Sequence, residues 1–230
     1  MSTDGRYEVK FILNENDLIE AKHWLNNHTS VTQSYPQRQV HSIYFDDNEF
    51  QSVKDNLSGV SDRFKIRLRW YQSGASDISI PALEVKSRRG RLGFKQQIVL
   101  PDLQTKIMEI PISDIAYVMK DQVLNVPLGC SIFDKHLNPT LYVKYSRSYY
   151  DSPNDIRVTE DEKIQFSYIV PSIKLSELPA MPYSPRILEL KFLPQMKNEV
   201  SHWLKNLHLV PKRHSKYLTG LAIFGQVRYL

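Results

Sequence analysis

One segment in the first third of the chain alternates strictly between apolar and basic residues. From Phe64 to Trp70 it reads Phe-Lys-Ile-Arg-Leu-Arg-Trp. Successive residues of a β-strand point to opposite faces, so Lys65, Arg67 and Arg69 are predicted to share one face. A row of ammonium and guanidinium groups matches the oxygen atoms of phosphate. Taken alone, the segment is more typical of a half-buried strand whose charged face lies in water.

The same alternation recurs elsewhere, now with carboxylates. Three further segments carry a Glu-x-Lys unit between apolar neighbours: Glu8 with Lys10, Glu84 with Lys86, and Glu189 with Lys191. Other polar side chains at the same kind of alternating position are Lys95, Gln97, Tyr145, Arg147 and Arg157. Cations and carboxylates therefore recur on one face of many predicted strands.

The elements that must position these residues are mostly strands, since short β-branched and aromatic runs dominate the chain. The predicted strands are Tyr7–Leu13, Val40–Phe45, Phe64–Tyr71, Ile78–Lys86, Gly93–Leu100, Thr140–Tyr150, Ile156–Thr159, Ile164–Val170 and Arg186–Leu193. Apolar residues at helical spacing predict helices at Glu15–Asn26, Ile112–Lys120, Gln195–Leu207 and Tyr217–Val227. Without β-α-β alternation, this order predicts an α+β fold, mainly β, built on antiparallel strands.

Two arrangements satisfy this pattern about equally. In a sandwich, the apolar faces meet inside and the charges scatter over the exterior. In a closed antiparallel eight-stranded β-barrel flanked by helices, the apolar faces meet the helices and the charges line an internal tunnel. Cations crowded in such a tunnel would repel one another, and a chain of phosphates would relieve that repulsion. The carboxylates would then suit a hard cation, Mg²⁺ or Mn²⁺.

Composition narrows the class of protein. The chain has 230 residues, 41% of them hydrophobic, so it can bury a sizeable core and is predicted to be one domain spanning 1–230. The net charge of +5 and pI near 9.1 are compatible with an anionic ligand. A single cysteine, Cys130, excludes an internal disulfide. A polar N-terminus and the lack of a long apolar run predict a cytoplasmic protein without a membrane span.

Several segments, in this order, resemble the VTC domain, the polyphosphate polymerase domain of the vacuolar transporter chaperone complex. That family belongs to the triphosphate tunnel metalloenzyme superfamily. The resemblance covers almost the whole chain, from Arg6 to Leu221. The segments that carry it are Arg6–Lys10, Ser42–Asp46, Lys65–Tyr71, Leu83–Lys86, Leu141–Arg147, Ile156–Thr159, Leu188–Phe192 and His214–Tyr217.

The resemblance implies a metal-dependent phosphotransferase that adds the γ-phosphate of ATP to a growing inorganic polyphosphate, with Mn²⁺ or Mg²⁺ as cofactor. Together with the strand faces it implies catalytic phosphate clamps at Arg67, Arg69, Arg147 and Lys216. The other expected phosphate-binding residues are Lys10, Lys86, Lys95, Tyr145, Arg157, Lys191, Arg213 and Ser215. The expected metal ligands are Glu189, as the principal carboxylate, with Glu8 and Glu84.

Other functions remain open from the sequence. The same tunnel could hydrolyse triphosphates, or bind polyphosphate without catalysis. An RNA-binding β-module suits the basic strands but not three inward carboxylates, so no specific nucleic acid is expected. A membrane-protein partner could couple synthesis to translocation, and the sequence leaves the oligomeric state undetermined.

Overall fold

The protein was analysed as a computed structural model. It describes residues 5–74, 77–89, 92–123 and 137–228, and for residues 88 and 89 the backbone only. Cys130 lies outside the described residues.

Nine strands form a single antiparallel sheet. Their bounds are β1 Tyr7–Leu13, β2 Thr32–Asp46, β3 Asp62–Gln72, β4 Ala82–Arg89, β5 Leu92–Val99, β6 Asn138–Asp151, β7 Arg157–Tyr168, β8 Met181–Tyr183 and β9 Arg186–Phe192. The order across the sheet is β1-β9-β7-β6-β2-β3-β4-β5, and the short β8 pairs with the end of β7. The fold is therefore a single curved sheet with its charged side chains on the concave face. It does not have the two packed sheets of a sandwich.

Five α-helices accompany the sheet in the described part of the chain. Their bounds are α1 Glu15–Asn27, α2 Gln51–Leu57, α3 Ile112–Val123, α4 Lys197–Leu204 and α5 Lys216–Ile223. The prediction missed α2, because seven residues are too few for a helical period to show. None of the five has the length and hydropathy that a membrane-spanning helix requires.

The predicted strands differ from the observed ones at several places. Strand β2 begins at Thr32, well before the predicted Val40, and β4 begins at Ala82 and not at Ile78. The predicted strands Ile156–Thr159 and Ile164–Val170 are one continuous strand, β7. The residues between them include Lys163, whose φ of 52° marks a β-bulge where β7 carries one extra residue against β6. The short strand β8 was not predicted, since three residues give no pattern.

The expected closed barrel is not confirmed. The sheet curls until its two edge strands meet, but among the described residues β1 and β5 share a single bridge, between Arg6 and Gly93. The Gly93 amide donates to the Arg6 carbonyl at 3.4 Å. Beside this bridge, Lys86 of β4 reaches across to Glu8 of β1 at 2.5 Å. The edges are therefore held together mainly by side chains, and we call the space that the curled sheet surrounds the bore.

Helices cover the outer face of the sheet, as its apolar side chains require. Helix α3 packs its buried residues, among them Ile115 and Met119, on the outer faces of β2, β3 and β4. Helices α1 and α4 insert Trp24 and Trp203 against β1, β7 and β9. The Trp24 indole also donates a 2.8 Å hydrogen bond to the Trp203 carbonyl, which joins the two helices. With its outer face used for packing, the sheet leaves its charged side chains facing inward.

Helix α5 packs against the inner face, where Val53 of α2 joins the same apolar cluster. Its residues Leu218 and Leu221 join the apolar cluster formed by the inward side chains of β2, β6 and β7. Gly220 permits this contact, since a Cβ there would come within 2.6 Å of a methyl carbon of Leu141 and 2.7 Å of Phe166. Helix α5 thus fills one part of the bore, and its first residues project toward the charged part.

Candidate functional site

The charged side chains of the inner face converge on the bore. Among the described residues, nine cations stand there against four carboxylates. The cations are Lys10, Lys65, Arg67, Arg69, Lys86, Lys95, Arg147, Lys191 and Lys216, and the carboxylates are Glu8, Glu84, Asp161 and Glu189. The described part of the bore thus carries an excess of positive charge.

The first group of charges surrounds Glu84 on β4. Its carboxylate accepts from Arg67 at 2.7 and 2.8 Å, and Lys95 lies 3.2 Å away. Arg69 contributes a longer contact of 3.8 Å. Burial alone would raise the pKa of Glu84, but Arg67 and Arg69 outweigh it and hold the pKa well below its ordinary value. Glu84 therefore stays ionised and fixes the direction of two arginines.

The second group surrounds Asp161 on β7, a residue absent from the predicted site. Asp161 is fully buried, and it holds the Arg147 guanidinium through both oxygens, at 2.5 and 2.8 Å. The Lys216 ammonium donates to the same carboxylate at 2.5 Å. Burial would lower the pKa of Arg147, whereas Asp161 raises it well above its ordinary value. Asp161 thus positions two of the four expected catalytic clamps.

The third group pairs Glu189 of β9 with Glu8 of β1. Lys10 lies between them, 3.5 Å from Glu189 and 3.9 Å from Glu8. Lys191 lies 3.3 Å from Glu189, and Lys86 pairs with Glu8. Burial would raise the pKa of Glu189, but Lys10 and Lys191 keep it well below its ordinary value. These carboxylates are close enough for the charge of Glu189 to act on the pKa of Glu8.

Tyr145 connects these groups. Its hydroxyl accepts a 3.1 Å hydrogen bond from Arg69. Its ring lies 4.6 Å from the Lys216 ammonium and 5.2 Å from the Arg147 guanidinium carbon. An aromatic face attracts cations, so Tyr145 helps to hold three of them around one point. Arg147 also comes within 4.0 Å of Glu189, which joins the second group to the third.

Lys65 is the cation with the least compensation. Its ammonium donates to the Ser215 hydroxyl at 2.7 Å, and no carboxylate of the described residues lies within ion-pair distance. Burial, followed by repulsion from Lys10 and Lys86, lowers the pKa of Lys65 well below its ordinary value. Ser215 is also the N-cap of α5, where it accepts from the Leu218 amide at 3.4 Å. An anion here would meet Lys65 and the positive end of α5 together.

Two predicted site residues lie away from this centre. Arg157 stands at the rim with 56% of its side chain exposed, paired with Asp151 at 3.6 Å and Asp155 at 3.3 Å. Arg213 is exposed in the segment before α5. All the other predicted site residues belong to the three groups or to the surroundings of Tyr145 and Ser215. Their roles in chemistry remain predictions.

Sequence reasoning missed Asp161 because it ended the strand at Thr159. The signal was present, since Arg157, Thr159 and Asp161 alternate just as the recognised segments do. It also missed Tyr44, whose hydroxyl accepts a 3.4 Å hydrogen bond from Arg67. Burial would raise the pKa of Tyr44, but Arg67 and Arg69 lower it.

The carboxylates fit a divalent metal only in part. Among the described residues, no three His, Cys, Asp or Glu side chains come together as a ready-made ligand set. Glu8 and Glu189 are nevertheless adjacent, and Mg²⁺ is commonly held by one or two carboxylates together with phosphate oxygens. Glu84 is separated from this pair and enclosed by its own arginines. The donor set therefore fits a hard cation at Glu8 and Glu189, completed by a phosphate ligand.

Several solved structures share this fold at low sequence identity. A protein from Hippeastrum, the putative adenylyl cyclase HpAC1 with a dominant triphosphatase activity, is 11% identical, with TM-score 0.54 and 98% of each chain covered. A putative adenylate cyclase from Vibrio parahaemolyticus is 11% identical, with TM-score 0.52, covering 94% of this chain and 97% of its own. The PH1819 protein from Pyrococcus horikoshii OT3 is 12% identical, with TM-score 0.51 and coverage of 96% and 99%. At these identities the likeness concerns the fold alone.

The amino-acid sequence identifies the family of this chain. The VTC domain model matches residues 5–225, nearly the whole chain, and the chain therefore belongs to the VTC domain family. No curated protein sequence matches it.

Proposed function

We propose that the protein is a metal-dependent polyphosphate polymerase that transfers the γ-phosphate of ATP to a growing inorganic polyphosphate chain in the bore. The observation that carries the proposal is the excess of nine cations over four carboxylates in one internal space. Buried like charges at such density are unfavourable unless an anion with many oxygens joins them. A phosphate chain has that chemistry.

The expected roles follow from the ion pairs. Arg147 and Lys216 are held by Asp161, and Arg67 is held by Glu84, so both sets keep their direction before substrate binds. Preorganised cations stabilise the charge that develops on a phosphoryl group in transfer. Lys65, which pairs with no carboxylate of the described residues, supplies a positive charge for the rest of the polyphosphate chain.

The ionised state of the bore carboxylates fits transfer to an acceptor that needs no base. Burial would raise the pKa of all four, yet neighbouring cations hold each one below its ordinary value. Such carboxylates are weak bases and suit poorly the activation of a water molecule. The terminal oxygen of polyphosphate is already anionic and needs no base. Alignment and charge neutralisation are then sufficient for the reaction.

Mn²⁺ or Mg²⁺ would be held by Glu189 and Glu8. A bound divalent cation supplies charge neutralisation at phosphate oxygens and orients the phosphates that it contacts. Glu189→Gln keeps the shape of the side chain and removes its charge. We expect this variant to bind tripolyphosphate at least as tightly as the wild type in EDTA, but to lose metal-dependent turnover by about 100-fold or more.

The direct test is incubation of the pure protein with ATP and Mn²⁺, followed by gel analysis of chain length and an assay of orthophosphate. Long chains support the proposal. Orthophosphate without chains would make the protein a triphosphatase. Tight polyphosphate binding without ATP turnover under any metal would make it a binding subunit.

A matched pair of variants ties the activity to the bore. Arg67→Ala with Arg69→Ala should abolish both chain synthesis and tripolyphosphate binding. Lys54→Ala removes an exposed cation on α2, paired only with the exposed Glu49, and should leave both unchanged. Equal losses in the two variants would mean that the activity follows surface charge and not the bore.

A further inference from the structure

Lys65 of β3 differs from the other bore cations in its partners. Its ammonium donates a 2.7 Å hydrogen bond to the Ser215 hydroxyl, and in the described part of the chain no carboxylate lies within ion-pair distance of it. The other named bore cations each pair with at least one bore carboxylate. The charge of Lys65 is therefore the one that the described structure leaves without a counter-ion.

The charged groups that act most strongly on Lys65 are positive. They are Lys10 of β1, Lys86 of β4, and Arg63 and Arg67 of its own strand. Burial and like charges both disfavour the ammonium form of an amine. Burial first, and then repulsion from these four cations, lowers the pKa of Lys65 well below its ordinary value.

The carboxylates on the strands around Lys65 are engaged by other groups. Glu8 on β1 and Glu84 on β4 each hold another bore cation. Asp46, at the end of β2, accepts hydrogen bonds from a serine hydroxyl of α2 at 2.5 Å and from the Tyr217 hydroxyl of α5 at 2.9 Å. These carboxylates thus hold other partners and leave Lys65 uncompensated.

Helix α5 and the residue before it add no negative group beside Lys65. The Ser215 hydroxyl also accepts from a backbone amide in the first turn of α5 at 3.4 Å, where the helix dipole is positive. Lys216 is held by the buried carboxylate of β7. Burial, with the charge of Lys216, lowers the pKa of His214 to about 3, so this imidazole is neutral. Lys65 therefore lies in a positive environment on every side that these elements form.

We propose that Lys65 is uncharged in the empty bore and takes up one proton when a polyphosphate binds beside it. The inference rests on the proposed function and adds how pH regulates that site. Lys65 is only half-buried, so water can supply the proton. The amine becomes an ammonium, which forms a charge-assisted hydrogen bond to a phosphate oxygen. Affinity should then fall as pH rises above the range in which Lys65 of the empty bore loses its proton, because binding requires the uptake of that proton.

The test counts the protons that accompany the binding of inorganic tripolyphosphate. Calorimetry in EDTA at one pH, in buffers of different ionisation enthalpy, gives this number. Lys65→Arg is charged at every accessible pH, and Lys65→Met carries no charge. Between about pH 7 and 9, where an ordinary lysine stays protonated, the wild type should take up as much as about one proton more than either variant. Protons that tripolyphosphate itself gains or loses are common to the three proteins and cancel in this comparison.

The pH dependence of the affinity is a second measurement on the same proteins. Relative to Lys65→Arg, the wild type should lose affinity by up to about tenfold per pH unit in this range. Its advantage over Lys65→Met should shrink with the same slope. Lys54→Arg, at an exposed cation of α2, is the control and should show the proton uptake of the wild type.

The outcomes separate this inference from the proposed function. Excess proton uptake by the wild type over both variants supports it. Equal uptake by all three proteins, with tripolyphosphate still bound, would overturn it and leave the proposed function standing. Failure of the wild type to bind tripolyphosphate at any pH would overturn both. If Lys65→Arg does not fold, Lys65→Met decides, since it also lacks the titrating amine.

Discussion

Single side chains in the bore act mainly by holding one another. Asp161 is fully buried and binds two cations, and Glu84 binds the arginine beside it. A buried ion pair adds little net stability, because both charges lose their hydration. Here the ion pairs fix the direction of the cations, since Arg147 and Lys216 stay pointed into the bore while Asp161 remains ionised. The carboxylates thus hold the cations in place, and we expect the cations to bind the ligand.

Removal of the Asp161 charge should lower the free energy of unfolding and increase the stabilisation that a bound polyanion provides. Asp161→Asn leaves Arg147 and Lys216 buried without their counter-ion, and we expect the free energy of unfolding to fall by about 3–5 kcal/mol. Tripolyphosphate should raise the melting temperature of this variant more than that of the wild type, because it replaces the lost negative charge. Thermal melts with and without tripolyphosphate measure both effects.

Glu49→Gln is the control for that comparison. Glu49 pairs with Lys54 at 3.2 Å, but both side chains are exposed, so its loss should change the free energy of unfolding by less than about 1 kcal/mol. An Asp161→Asn protein as stable as the wild type without ligand would contradict the counter-ion role.

Among the secondary-structure elements, α5 links packing to the site. Its apolar face packs inside the sheet, and its N-terminal residues Ser215 and Lys216 contact Lys65 and Asp161. Helices α1, α3 and α4 lie on the outer face, and α2 joins the inner apolar cluster through Val53. In the described part of the chain, none of these four helices contributes a side chain to the three charged groups. A small shift of α5 would therefore move two expected phosphate ligands together.

Gly220→Ala tests this link. In most helices the change from glycine to alanine adds about 1 kcal/mol of stability. Here the new Cβ would meet Leu141 at 2.6 Å and Phe166 at 2.7 Å, so we expect a loss of about 1–3 kcal/mol instead. Tripolyphosphate affinity should also fall, because α5 must move outward with Lys216. Urea melts and calorimetry measure the two effects.

The neighbouring substitution Thr219→Ala removes atoms from the same helix turn and should leave affinity within twofold of the wild type. If Gly220→Ala gained stability in the ordinary way, the tight packing of α5 on the inner face would be refuted.

The whole molecule divides its ionisable groups between two sides of the sheet. The bore holds the excess of cations, whereas the outer face carries buried neutral groups such as His41, which stacks on Trp70 at 5.2 Å. Burial lowers the pKa of His41 from 6.5 to about 4, and the charge of Lys144 adds to the effect. Stability against acid should therefore begin to fall well above the range in which the bore carboxylates titrate.

The sign of this effect follows from linkage. Below pH 6.5 the unfolded chain binds a proton at His41 and the folded protein does not, so the free energy of unfolding decreases as pH falls toward about 4. The slope approaches about 1.4 kcal/mol per pH unit for this group. His41→Phe keeps a ring against Trp70 but cannot titrate. Its unfolding free energy should therefore depend less steeply on pH between 6 and 5, by the uptake of about one proton.

Urea unfolding at a series of pH values measures that slope. His208→Gln replaces an exposed histidine, 84% accessible, and should keep the wild-type slope. A His41→Phe protein with the wild-type slope would show that His41 does not set the acid response. The absolute stability of that variant is not the criterion, because Tyr142 loses its 2.6 Å hydrogen bond to His41 at every pH.

The sequence alone determined which residues share a face. Alternation is local, because each strand residue points opposite to its neighbour, and so Arg67 with Arg69 and Glu189 with Lys191 could be grouped before any fold was known. Apolar spacing located α1 and α3 equally well. The resemblance in ordered motifs also predicted the family that the VTC domain match bears out.

Only the tertiary structure decided how the faces are used. The curl of the sheet, its incomplete closure at Arg6 and Gly93, and the choice of Asp161 as partner for Arg147 all depend on contacts between residues far apart in the chain. The bulge at Lys163 changes which residues of β7 face inward, and no local sequence pattern predicts it. Two charges pair only when they are close in space, and the spacing of residues along the chain does not give the distance between two strands.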